Sequence, residues 1–332
     1  MRFLQGRVWC RKGRVVMRCL CTVFLFVIAH SAVAAYPERP IRFIVAAVAG
    51  SAPDINSRLI TAEMATLLGQ QFVVDNRGGA GGTLGMPLIA RATADGYTVG
   101  YGNIASLAIA PGVYAKLTYD PTRDFQPIGQ IADSYNILAL AMSLPVKSVS
   151  ELIDYARKNP GKLVYGGATV GSTQYLSGQL FNQMAGTNIR AVSFLGAQVI
   201  PAMALGQVHM TFNGSAALDQ YIKSGRIRGL AVTGAKRLPA FPELPTLSES
   251  GLPGYEVVAW GGIIGPAGLS PAVVTRLNTV MNKALKTPAT MEKYAALGLE
   301  PVGGTPEQFR AHIRKEIAKW GEITRKAGIK PQ

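Results

Sequence analysis

The sequence predicts an α/β fold with mainly parallel strands, arranged in two units. Three observations carry that expectation. Short apolar runs alternate with segments of helical period along the chain after residue 36. Glycine- and serine-bearing turns join many of them, so that helices open directly after strands. The alternation also starts afresh near residue 140, and the composition shifts again after Gly254.

The elements follow in order. Residues 41–48 (IRFIVAAV) read as a buried strand, and the loop Ala49-Gly50-Ser51-Ala52-Pro53 leads to Asp54 as a helix N-cap. Ile55, Leu59, Met64 and Leu68 fall at near-helical spacing, and Gly69 is the expected stop. Residues 71–75 form a second strand, followed by a glycine-rich turn, a helix of small residues through Ala92, and a third strand at 98–102. In the second unit residues 138–142 are apolar. Ser148-Val149-Ser150-Glu151 then resembles a capping box for a helix ending at Asn159-Pro160-Gly161. Residues 163–167, 191–194, 210–213 and 230–233 read as strands, and Gly171-Ser172-Thr173 opens a helix after the first of them. Ser270-Pro271 and Thr305-Pro306 each pair an N-cap with proline at the first helical position. Phe309, Ile313, Ile317 and Trp320 then mark the core face of the last helix.

The N-terminus predicts export. Arg2, Arg7, Arg11, Lys12, Arg14 and Arg18 precede an apolar run at 20–29 (LCTVFLFVIA) and the small residues Ala32-Val33-Ala34-Ala35. Basic region, short apolar core and A-x-A exit describe a secretory signal peptide over 1–35, cleaved near Ala34 or Ala35. The run falls short of the roughly 20 residues that span a bilayer. Met17 offers an alternative start within the same segment. Cys10, Cys19 and Cys21 all lie there, so the mature chain from Tyr36 has no cysteine, and none is placed as a lipoprotein anchor. Removing the six leader bases takes the formal charge from +15 to +9. That excess is scattered rather than gathered in a stripe, which argues against nucleic acid and fits electrostatic steering of small anions.

Catalytic raw material is scarce. Only His209 and His312 remain after maturation; the first reads as structural and the second as solvated. A metal cluster or a Cys-His dyad therefore has nothing to draw on, and no G-x-S-x-G elbow or Walker A sequence occurs. The glycine run at 78–85 lacks the G-x-G-x-x-G register. No cofactor is expected, and no enzyme. Two strand-to-helix turns, at 50–54 and 168–173, are instead placed to bind an anion. Helix N-termini present free N–H groups and the positive end of the macrodipole. Both turns also fit ordinary βα loops, so their joint action on one carboxylate is an expectation and not a deduction.

At this point the residues resemble a known family, the tripartite tricarboxylate transporter substrate-binding proteins, often called the Bug family. The resemblance covers essentially the whole mature chain. It begins with Tyr36-Pro37 and Arg39-Pro40-Ile41-Arg42 and passes through Leu68-Gly69-Gln70, Asp75-Asn76-Arg77 and Ala94-Asp95-Gly96-Tyr97-Thr98. It continues with Tyr119-Asp120-Pro121, Gly206-Gln207-Val208, Leu252-Pro253-Gly254-Tyr255 and Pro301-Val302-Gly303-Gly304-Thr305-Pro306. It implies a two-domain periplasmic binding protein, a type II-like Venus flytrap with two interdomain crossovers. Domain I would hold 36–137 plus 257–332, and domain II 138–256. It implies a ligand carboxylate gripped between the two loops: Ala49, Gly50, Ser51, Ala52 and Asp54 on one side, Gly171, Ser172 and Thr173 on the other. Asn103 and Ser106 would line the cleft from domain I, and Phe194, Gly196 and Asn213 from domain II.

Departures from the family pattern bear on the ligand. Pro53 stands where threonine is common, removing a hydroxyl and an N–H. Val192-Ser193-Phe194-Leu195-Gly196 lacks the tyrosine and lysine often found there. Asn213 replaces a frequent aspartate, and Tyr175 a frequent histidine. The expected ligand is thus an acid with one or two carboxylates on an apolar or aromatic body, rather than citrate. The expected partners are membrane transporter subunits or, alternatively, a membrane sensor kinase, with the receptor itself a monomer.

Overall fold

The computed structural model describes residues 36–79, 82–167, 172–194, 198–326, 328 and 331, so the leader segment lies outside the described residues. Strand β1 (Ile41–Val45) runs parallel to β2 (Phe72–Asn76) and β3 (Thr98–Asn103), with helices α1 (Ala52–Leu68) and α2 (Met86–Ala90) between them. A π-helical turn at Ala105–Ile109 and the short α3 (Ala110–Val113) lead towards β4 (Phe125–Ala141), the longest strand. There follow α4 (Val149–Lys158), β5 (Val164–Gly167), α5 (Thr173–Ala185) and β6 (Arg190–Ser193). Then come α6 (Val199–Ala204), β7 (Met210–Gly214), α7 (Ser215–Lys223) and β8 (Ile227–Val232). The chain returns along β9 (Val258–Pro266) and ends with α8 (Pro271–Ala284), α9 (Pro288–Ala296), β10 (Leu299–Gly303) and α10 (Pro306–Lys326).

The strands lie in the order β2-β1-β3-β9-β4-β7-β5-β6, with β8 and β10 also paired to β4. The expectation of mainly parallel strands needs correcting, because the sheet is mixed. β1 with β2 and β3, and β5 with β6 and β7, form parallel ladders, whereas every described ladder of β4 and β9 is antiparallel. The βαβ crossovers produce the parallel pairs. The two long strands that carry the chain between the parallel groups run against their neighbours. β4 pairs with β9 through Tyr135 and with β7 from Asn136 onward.

Local chemistry explains most helix boundaries. Ser148 accepts from the Glu151 N–H, while the Glu151 carboxylate accepts from the Lys147 N–H at 2.8 Å. Thr305 and Gln308 cap each other reciprocally at the start of α10. Ser270 accepts from Val273 N–H ahead of Pro271. Gly69 closes α1 at φ 70°, a left-handed conformation that only glycine enters freely.

Two expectations shift on α1. Its N-cap is Ser51, and Asp54 sits inside the first turn, because Pro53 suits an early helical position and lets the helix begin before it. The buried stripe is Asn56, Ile60 and Met64 with Ser57 and Thr61, while Ile55 is exposed at 40 %. Hydrophobicity alone misplaced that face, because small polar side chains take the close contacts. On α10, Phe309, Ile313 and Trp320 are buried as expected. His312 is half-buried rather than fully solvated: it packs edge-on against Trp260 at 4.8 Å, and its Nε2 is buried with no protein partner among the described residues. Burial holds this imidazole below its ordinary pKa. His209 is structural, its Nδ1 accepting from the Val164 N–H.

Candidate functional site

The two βα turns are built by different means. At the first, Ser51 turns its hydroxyl back onto the Val48 carbonyl at 2.6 Å. The Asp54 carboxylate is fully engaged, accepting from Gly50 N–H at 2.8 Å, from Arg58 Nε at 2.9 Å and from Asn76 Nδ2 at 2.9 Å. Burial would raise its pKa, but these donors outweigh it and hold the carboxyl below its ordinary value. Asp54 therefore braces the loop. The first-turn amides that the helix leaves unpaired include Ala52 and Asp54; Pro53 has none to offer.

At the second turn Ser172 is the N-cap of α5, its hydroxyl accepting from Tyr175 N–H at 3.2 Å. The turn is positioned from below. Tyr165 donates to the Tyr175 carbonyl at 2.9 Å, and its ring lies so close to Gly178 that any added Cβ would overlap ring atoms. Gly171 and Gly196 fall outside the described residues.

Between these turns lies a cleft of about 520 Å³. Its lining includes Ala52, Asn103, Ser172, Thr173 and Asn213 from the expected set, together with Pro53 and Ile55. Ser106 stands behind Asn103, its Oγ accepting from the Asn103 N–H at 3.2 Å and its own N–H donating to Asn103 Oδ1 at 3.0 Å. Among the expected residues, Ala49, Gly50 and Ser51 on the loop and Asp54 in the first turn of α1 lie outside the lining. Phe194 borders a separate recess of about 10 Å³ shared with Gln174 and Asn213, room for a single water.

The remaining wall escaped sequence reasoning. Asn56, Tyr101, Asp133, Tyr135, Asn136 and Trp260 all line the cleft. Tyr101 reaches it across Gly261, where an added Cβ would collide with the phenol. Its oxygen accepts from Asn56 Nδ2, which Tyr294 orients by donating to Asn56 Oδ1 at 2.6 Å. A usable signal did exist for Asp133: it is a lone acid in the otherwise uncharged stretch at 125–141, FQPIGQIADSYNILALA.

Asp133 is the lining's single carboxyl, and no lysine, arginine or histidine lines the cleft among the described residues. Burial pushes its pKa up to about 7; the Gln130 amide, donating at 2.6 Å, pulls it back, while Glu300, Glu316 and Glu256 add to the rise. Between the ordinary 3.8 and about 7 the folded state holds more protons than the unfolded, so this group's contribution to stability falls as pH rises through that window. Asp133→Asn removes the fall. Calorimetric melting should give variant and wild type similar midpoints near pH 4, with the variant higher by several degrees near pH 8. A constant difference across that range would mean the carboxyl is solvated.

Comparison with known proteins matches this architecture. The profile of the family described as "Tripartite tricarboxylate transporter family receptor" covers residues 56–329. The chain is 32 % identical to Protein BugT of Bordetella pertussis over 94 % of its own length and 98 % of that protein's. Among solved structures, Rpa4515 of R. palustris with adipate is 39 % identical, with a TM-score of 0.80 over 90 % of this chain and all of that one. MatC of Rhodopseudomonas palustris with bound malate is 30 % identical, with a TM-score of 0.75 over 87 % of this chain and all of that one. No helix among the described residues is long and apolar enough to cross a membrane. Profile, full-length relatives and fold agree, and the chain belongs to the tripartite tricarboxylate transporter receptor family, whose members are solute-binding proteins.

Proposed function

We propose that the protein is a periplasmic receptor that captures a small carboxylate-bearing metabolite in the 520 Å³ cleft and delivers it to transporter subunits in the membrane, without chemical turnover. The observation that carries this reading is the convergence of two helix N-termini, those of α1 and α5, on one cavity. Ala52 and Pro53 reach the cavity from one helix, Ser172, Thr173 and Gln174 from the other. The carboxylate seats on first-turn N–H groups of α1 and α5, where the macrodipoles favour negative charge. Asn103 and Asn213 supply side-chain amides. The receptor divides into lobes at 36–137 plus 257–332 and at 138–256, a reading supported by the change of β4 partner at residues 135–136 and by the start of β9 at Val258. Rpa4515 with adipate and MatC with malate support a ligand of this class. The lining, with Ile55, Ile104, Leu297 and Leu299 beside Tyr101 and Trp260, favours an apolar body over citrate. The signalling alternative draws no support from these relatives.

A thermal-shift screen of residues 36–332 against organic acids, amines and sugars tests the reading. An acid at a hundredfold excess over its dissociation constant should stabilise the protein by about 2.7 kcal/mol. Ser172→Ala should lower the unliganded stability by about 1 kcal/mol through the lost cap and reduce the acid-induced shift. A response to sugars alone would sink the carboxylate reading while leaving the receptor fold in place.

A further inference from the structure

We infer that Asp133 forms a second recognition point in the cleft, receiving a cationic nitrogen of the ligand, so that the preferred ligand is a zwitterion with an ammonium group remote from its carboxylate. The inference rests on the carboxylate reading above and adds the opposite pole to it.

Strand register places the residues. In the ladders of β4, Asp133 lies opposite Trp260 on β9 and opposite Glu300 on β10, so the three share one face of the sheet. Tyr135, two residues on, shares that face, and its hydroxyl donates to Glu300 Oε2 at 2.8 Å. Carboxylates directly across a ladder repel each other. The surrounding charges leave that repulsion unanswered. Lys319 of α10 lies 3.5 Å from Glu316 and 3.9 Å from Glu256, and neither Asp133 nor Glu300 has an ion-pair partner among the described residues. His312 packs edge-on against Trp260 in this group. Gln130 brings Asp133 only a neutral amide.

An occupant can supply the missing charge. One Asp133 oxygen takes the Gln130 amide, and the other accepts no hydrogen bond from the described residues. Tyr101, Tyr135 and Trp260 line the same region, and aromatic faces attract cations. A second ligand carboxylate here would add another negative charge beside Asp133 and Glu300, both half-buried, where salt screens less than at an open surface. An ammonium would instead pair with Asp133.

Isothermal titration at pH 8 with matched ligands tests this: 6-aminohexanoate against adipate and hexanoate, 4-aminobutanoate against succinate, and hexylamine. The amino acid of at least one pair should bind about tenfold tighter than its diacid, the size of one hydrogen bond to a charged group. Asp133→Asn, checked for folding by its melting curve, should weaken the amino acid and strengthen the diacid. Tighter binding of the diacids by wild type, or an unchanged ratio in the variant, overturns the Asp133 assignment and leaves the carboxylate reading standing. Binding of hexylamine with rejection of every carboxylate overturns the carboxylate reading and keeps Asp133 as a cation site. Silence from all six overturns both.

Discussion

Replacing Gly214 with phenylalanine should abolish ligand binding while leaving the protein folded. Gly214 ends β7, is the N-cap residue of α7 and lines the cleft. A Cβ added there meets no atom within 4 Å, and its backbone, at φ −56° and ψ 139°, is one that any L-residue adopts. A side chain at Gly214 therefore starts into the open cleft rather than into the core, and the poorer N-cap costs below about 1 kcal/mol. The phenylalanine ring takes volume from a ligand cavity of about 520 Å³. The expected reading is a melting temperature near wild type in buffer and at least a hundredfold loss of affinity for whichever acid the screen identifies. Retained affinity would place the ligand away from the wall formed by Asn213, Gly214 and Ser215. That would remove one side of the proposed grip. A large drop in unliganded stability would instead show that the backbone turn tolerates no side chain.

How much of this was legible in the sequence divides by the range of the interactions involved. Caps are local, so Ser148, Ser270 and Thr305 were placed from neighbouring residues, and each accepts a first-turn backbone N–H; the helix start at Ser172 was read in the same way, and that serine is the cap. Glycine at the end of α1 was equally readable, since its left-handed φ is a local demand. Strand direction was not, because β4 and β9 meet across more than a hundred residues and no local pattern records that pairing. The cleft splits in the same way. Ala52, Ser172 and Thr173 belong to turns with their own signature, whereas Asp133, Tyr135 and Trp260 enter through strand register. Asp54 shows the limit of the turn signature: an acid beside a helix N-terminus looks like a ligand contact, yet its oxygens are spent on Gly50, Arg58 and Asn76. His312 shows the converse. Charged neighbours along α10 suggested solvent, but helical rotation places it against Trp260.

Trp320→Ala should be the most destabilising of the substitutions considered. The indole is fully buried in the largest core cluster, and truncating a tryptophan of that kind costs about 3–5 kcal/mol through lost contacts and the cavity left behind. For a chain of this size that corresponds to a fall of roughly 5–15 °C in melting temperature. The effect reaches the site through Glu316. That buried carboxylate accepts from Trp320 Nε1 at 2.9 Å and from Trp260 Nε1 at 3.1 Å through the same oxygen, so one acid holds both indoles in place. Without Trp320, Glu316 is freer to move, and the Trp260 ring that lines the cleft loses its fixed orientation. Trp320→Phe separates the two contributions, keeping most of the volume while removing one N–H, and should cost about 1–2 kcal/mol. If the alanine variant melted within a degree of wild type, Trp320 would not be a core anchor. If both variants were destabilised but bound ligand with wild-type affinity, the orientation of Trp260 would not depend on the shared carboxylate. Weakened binding in the phenylalanine variant, where packing is nearly kept, would identify the Glu316 bridge as the link between the core and the cleft wall.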